Sequence, residues 1–138
     1  MKEMIYKFDE EKGCEILDMG KYKGRDYVII SNFGRFPCAY VQTDIDFYTQ
    51  QDFTEPAHCG FTFYSSLSHL ERYNELMEEQ KKILCRNYVG WDYGHSEDYV
   101  DFKTTHFEGK KWTTEEILEN VKEVIDWIII KEEKDYVI

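Results

Sequence analysis

Apolar residues run in short β-branched blocks through the first half of the chain, and the period lengthens to that of a helix in the second half. Residues 14–19 read as a strand that ends at Gly20, and Gly20-Lys21-Tyr22-Lys23-Gly24-Arg25 as a polar turn. Tyr27-Val28-Ile29-Ile30 is a β-branched strand that stops at Ser31-Asn32-Phe33-Gly34, and Cys38-Ala39-Tyr40-Val41 is its hairpin partner. Residues 44–55 are polar and aromatic and predict a surface excursion, with a further strand over residues 58–64. Tyr88-Val89-Gly90-Trp91 reads as a buried strand that ends at Asp92.

Two segments follow the helical period. Ser68-His69-Leu70-Glu71 has the S-x-x-E form of a capping box, and Leu70, Tyr73, Met77 and Leu84 then fall near one stripe, with Leu76 and Ile83 beside it. Thr113-Thr114-Glu115-Glu116 repeats the box as T-x-x-E, ahead of a stripe of Ile117, Val121, Val124, Ile125 and Ile128. The pattern predicts an α+β fold: an antiparallel sheet with two amphipathic helices packed on one face, in one domain spanning residues 1–138. The second helix continues as Trp127-Ile128-Ile129-Ile130, apolar on nearly every side, which predicts a homo-oligomer, most simply a two-fold dimer.

Composition narrows the class. A chain of 138 residues with 17% aromatic content can build one sizeable core and is not a disordered chain. No window approaches 18 consecutive apolar residues, and residues 1–7 lack the apolar run of a secretion signal, so a cytosolic protein is expected. Cys14, Cys38, Cys59 and Cys85 form no C-x-x-C pair and read as thiols. The net charge is −11, from 28 acidic and 17 basic residues, which argues against direct binding of nucleic acid or of an anionic membrane. The acidity is uneven: residues 37–65 hold four acids and no Lys or Arg, and residues 88–108 hold five acids against one Lys.

Two segments could carry chemistry. In Gly90-Trp91-Asp92-Tyr93-Gly94-His95-Ser96-Glu97-Asp98, two carboxylates flank His95 at −3 and +3, just past a strand end. Asp92 or Asp98 could orient the imidazole, although the same residues also make an ordinary turn. In His58-Cys59-Gly60-Phe61-Thr62-Phe63, strand alternation puts His58, Gly60 and Thr62 on one face and the apolar side chains on the other. His58 before one strand and His95 after another place both at one sheet edge if the strands are antiparallel neighbours. His58, Asp92, His95 and Asp98 could in principle hold a cation, but no metal-ligand spacing code is present, nor any phosphate-loop or dinucleotide fingerprint, and no cofactor or metal is expected. Lys21, Lys23, Arg25 and Arg35 are the only basic cluster suited to phosphate, or else a solvated hairpin turn.

Taken together, these segments resemble a family of small bacteriophage and prophage proteins. Its members share, in order, C-[GA]-Y-V, H-x-G-[LF]-T-[YF] and G-[FW]-D-x-x-H-x-x-D elements and a closing amphipathic helix. Here they are residues 38–41, 58–63, 90–98 and 113–127, with Cys59 where the pattern often has Gly and a long helix between the two His motifs where many members are short. The resemblance implies a protein that counters host immunity. The expected activity is binding of a nucleotide immune signal, by sequestration or by phosphodiesterase-like cleavage. Its ligand contacts would come from Tyr40, Gly60, Thr62, Trp91, Asp92, Asp98, Lys21, Arg25 and Arg35, with His58 and His95 as the acid and base of any cleavage. Tyr40, Trp91 and Tyr93 are the aromatics that could stack on a base. The alternative partner is a host defence protein. In that reading the acidic chain inhibits a CRISPR or other nucleic-acid-binding effector by mimicking nucleic acid.

Overall fold

The computed structural model describes residues 1–50, 54–70 and 73–135. Five strands, β1 (Cys14–Tyr22), β2 (Arg25–Asn32), β3 (Phe36–Gln42), β4 (Phe63–Ser66) and β5 (Asn87–Asp92), form one antiparallel sheet in the order β1-β2-β3-β5-β4. A short helix, α1 (Glu78–Leu84), precedes β5. A two-stranded ribbon, β6 (Val100–Asp101) with β7 (His106–Phe107), follows it, and the long helix α2 (Thr114–Asp135) closes the fold.

The α+β class and the antiparallel sheet are as the sequence predicts, and α2 packs on the sheet. The two helices, however, divide between its faces. Tyr27, Ile29, Ala39, Val41, Val89 and Trp91 share a core with Ile117, Val121, Val124, Ile125 and Ile128 of α2. Val28, Ile30, Cys38, Tyr40 and Tyr88, which alternate with them, pack against Leu67, Leu70 and Leu84. Blocks such as Val28-Ile29-Ile30 are buried on both sides, and a sheet apolar on both sides needs a cover on each.

The caps show where local sequence decides and where packing does. At α2 the box closes in both directions: Thr113 N donates to Glu116 Oε1 (3.0 Å), and Glu116 N donates to Thr113 Oγ1 (3.2 Å). The box expected at Ser68 does not start a helix, and its Glu71 lies outside the described residues. Ser68 N instead donates to Ser66 Oγ, and α1 begins only at Glu78, where Met77 N donates to Gln80 Oε1. Leu67, Leu70, Tyr73 and Leu76 recur every third residue, and each of the last three donates its N–H to the carbonyl three residues back. That spacing suits successive tight turns better than a period of 3.6.

The strand expected over residues 58–64 is also shorter. Residues 57–60 form a turn closed by Gly60 N donating to Ala57 O (2.9 Å), with left-handed φ at Cys59 (57°) and Gly60 (85°); β4 starts at Phe63. At the other end of the chain, Ile128 is buried and Ile129 packs against the α2-side core. Trp127 packs on the Phe47 and Phe61 rings at 5.0 and 5.9 Å, and Ile130 alone of this run is exposed, at 49%. The run from which a dimer was expected is thus mostly covered by the chain itself. No described helix is long and apolar enough to cross a membrane.

Burial of the aromatic hydroxyls sets the alkaline limit of the fold. Desolvation pushes Tyr27 up to about 12 and raises Tyr6, Tyr40, Tyr88 and Tyr93 further. A raised folded-state pKa gives stability that is complete below the unfolded value near 10 and is lost as pH climbs through the folded one. Each such tyrosine removes about 1.4 kcal/mol per pH unit above about pH 10. Melting temperature should therefore fall steeply above about pH 10, with tyrosinate absorbance appearing together with unfolding rather than ahead of it.

Candidate functional site: two imidazoles beside a buried carboxylate

The site grows from the end of β5. Past Asp92 the chain turns through Gly94, whose Cα lies so close to the Phe36 ring that a Cβ would sit 2.9 Å from it. Gly94 N donates to Asp92 Oδ1, His95 N to Asp98 Oδ2, and Asp98 N to His95 O, each at 2.9 Å, so the turn is closed by its own carboxylates. Residues 99–109 then leave and return. Tyr99 N donates to Lys110 O and Lys110 N to Glu97 O, both at 3.0 Å, which sets Trp112 beside Asp98. Gly109 is required at this neck, because a side chain there would collide with the backbone of residues 97–98.

Asp98 is the centre of the cluster. It is 1% exposed and takes three donors: Trp112 Nε1 at 2.9 Å, His95 N, and His58 Nε2, which lies 3.0 and 2.9 Å from its two oxygens. A carboxylate can be buried at tolerable cost when its oxygens are satisfied in this way. The His58 ring stacks on Tyr93 (4.8 Å, 7°) and meets Trp112 edge-on at 4.9 Å and His95 at 5.9 Å. Asn120 of α2 clamps the same turn. Its Nδ2 donates to Pro56 O (2.8 Å), and its Oδ1 accepts from His58 N (3.2 Å) and from Tyr93 Oη (2.7 Å). Trp91 Nε1 donates to that same Tyr93 oxygen (3.0 Å).

His58 and His95 are therefore brought together, at the end of the antiparallel β4–β5 pair. Asp98 bonds the ring of His58, not that of His95, whose Nε2 lies 3.4 Å from Asp92 Oδ1 without the alignment of a hydrogen bond. Thr62 Oγ1 is 3.5 Å from Asp92 Oδ2, and Gly60 sits in the turn after His58. Desolvation, and then the Asp98 and Asp92 carboxylates, push the Cys59 thiol up.

Other expected contacts lie elsewhere. Trp91 (1% exposed) and Tyr40 (8%) are buried on opposite faces of the sheet, so neither ring can stack on a ligand. Tyr93 is likewise buried, and its ring serves as the platform under His58. Lys21 and Arg25 belong to the β1–β2 hairpin, at the sheet end away from Asp92, which pairs with Cys38 near the start of β3. Lys21 pairs with Asp26 at 3.6 Å, and Arg25 with Glu132 and Gln42 O, so an acidic chain consumes its own cations. Arg35 is at the site's end of the sheet, but its guanidinium lies among Phe8, Phe33 and Phe36 and donates to Asn32 Oδ1. Among the described residues no three of His, Cys, Asp and Glu are arranged to hold a metal ion.

Trp112 and Asn120 were not anticipated. A Trp directly before the capping box, and an Asn flanking the α2 stripe one position before Val121, are the signals that could have found them. A cavity of about 220 Å³ between Tyr6 and the start of α2 shares Trp112 with the cluster, and Lys110 lies 3.9 Å over that indole. Comparison of the chain with models of known families, with curated proteins and with solved structures gives no match.

Proposed function

We propose that the protein binds a small nucleotide at the rim where His58 and His95 meet. The observation that carries this reading is the meeting of two partly exposed imidazoles, ring centres 5.9 Å apart, one bonded to the buried carboxylate of Asp98 and the other 3.4 Å from that of Asp92. Asp98 accepts a hydrogen bond from His58 Nε2–H, which in the neutral ring leaves the lone pair on Nδ1. A ring held in that tautomer can accept a hydrogen bond from a ligand hydroxyl or take its proton. His95 would donate to a phosphate oxygen, or to the leaving oxygen of a phosphodiester. Trp112 replaces Tyr40 and Trp91 as the aromatic wall, and Lys111 beside it, with Lys110 once released from its 2.7 Å pair with Glu116, replaces Lys21 and Arg25 as a cation. In the setting that the phage-type motifs imply, the ligand is a nucleotide immune signal, sequestered or cleaved.

The test is incubation of the purified protein with cyclic mononucleotides, cyclic dinucleotides and ADP-ribose-type nucleotides, followed by chromatography before and after heat denaturation. Loss that heating reverses means sequestration, and loss with a new product means cleavage. No loss with any of them overturns the proposal. His95→Ala should reduce the effect at least tenfold while moving the melting temperature by only a few degrees, since its ring makes no hydrogen bond in the cluster.

A second reading, an acidic protein that docks on a basic partner in place of nucleic acid, is favoured by the row Glu115, Glu119 and Glu123 exposed along α2. Their four-residue spacing repeats about every 6 Å, and inhibition of a nucleic-acid-binding effector by a protein that ignores nucleotides would support it.

A further inference from the structure

The second face of the sheet is covered less completely than the first, because α1 has only seven residues. Two cavities, about 380 and 300 Å³, lie between β1 and the α1 side and adjoin at Gln80, which lines both; together they are called the groove. Its floor is Cys14, Ile16, Met19, Leu70, Leu76 and Ile83. All but Leu70 are only partly buried, although they pack at the margin of the second core. Met77, at the start of α1, is 65% exposed.

The groove has a charged and a neutral wall. Along β1, Lys2 pairs with Glu15 at 3.8 Å and Lys21 with Asp26 at 3.6 Å. On the opposite wall Glu75 lines the first cavity and Glu79 the second, and neither has an ion pair among the described residues. An apolar floor beneath two carboxylates with no ion pair among the described residues is complementary to apolar anchors flanked by Lys or Arg. The floor consists of side chains that stand off the face of the sheet, not of the free backbone edge of β1. An occupant therefore lies on those side chains as a helix lies in a groove, rather than pairing as an added strand.

We propose that this groove docks a basic amphipathic helix of a partner protein, its apolar face on Ile16, Met19 and Ile83 and its basic residues against Glu75 and Glu79. The proposal is independent of the imidazole site, since the two share no residue.

The cysteines supply the test in the unaltered protein. Cys14 lies in the groove, Cys59 and Cys85 are exposed outside it, and Cys38 is buried. A short Leu/Lys amphipathic helical peptide should bind and slow maleimide labelling of Cys14 several-fold, with Cys59 and Cys85 unchanged. An Ala/Lys peptide of equal charge should do neither. Glu75→Gln with Glu79→Gln should weaken binding about tenfold, as two rim charges warrant. Glu10→Gln with Glu133→Gln removes the same charge elsewhere and should leave binding within twofold. Absence of binding, equal loss in the two double variants, protection of all three thiols alike, or binding of the Ala/Lys peptide would each overturn the proposal.

Discussion

Asp98→Ala should lower the melting temperature by about 10 °C and abolish nucleotide binding in the same variant. Three donors lose their acceptor at once: His58 Nε2, Trp112 Nε1 and His95 N. A buried donor left unpaired costs about 1–3 kcal/mol, and a loss of about 3 kcal/mol corresponds to a shift of about 10 °C for a domain near this size. Asp98→Asn should fall between the variant and the wild type, because one carboxylate oxygen becomes a donor facing other donors. Thermal melts followed by circular dichroism measure the first effect and the chromatographic assay the second. An Asp98→Ala protein that melts within two or three degrees of wild type would show that the carboxylate does not hold the cluster.

Gly90→Val is the second change with a large expected effect, and it acts through the opposite face of the sheet. Gly90 lies in β5, an interior strand of the sheet, across from Tyr40 on β3 and Phe63 on β4. Those two rings meet edge to face at 5.2 Å over the space that its missing side chain leaves. A Cβ there would sit 2.5 Å from Tyr40 Cδ1, and Tyr40 is packed too tightly to move aside. Over-packing of a core costs about 1–3 kcal/mol even for small additions. With both valine methyl groups placed into the ring pair, the variant should reach the soluble fraction poorly and melt at least about 10 °C lower. Gly24→Ala is the contrasting case. Nothing lies within 4 Å of its would-be Cβ, so only the strain of φ +77° is felt, and the loss should stay near 1 kcal/mol.

These residues also show what could be read from the chain. Strands β1, β2, β3 and β5, and α2 with its reciprocal cap, follow from contiguous patterns that local chemistry satisfies by itself. Tyr40 and Gly90 were legible as strand residues, but their mutual fit depends on which strands become neighbours. The start of α1 was misread because a capping pattern competes with a three-residue repeat of buried side chains, and burial prevailed. The meeting of His58 with His95 was accessible from strand order alone. That Asp98 would choose the ring forty residues away over the one three residues away was not. The choice depends on Trp112 and on the neck formed by Gly109 and Lys110, which no local pattern encodes.

That neck closes the excursion from Tyr99 to Gly109 at its base, and Asp101, which accepts from Phe8 N and donates to Arg35 O, ties its first half to the body of the fold. Its two ends are tied by backbone bonds between residues 97–99 and Lys110, and its tip, residues 103–105, is exposed and secured by Phe102 N donating to Thr105 O. Lengthening a loop already closed at its base costs only about 0.6 kcal/mol per doubling. The tip is therefore the place at which natural insertions can accumulate, or a reporter segment be threaded in, while the carboxylate at the base keeps its partners.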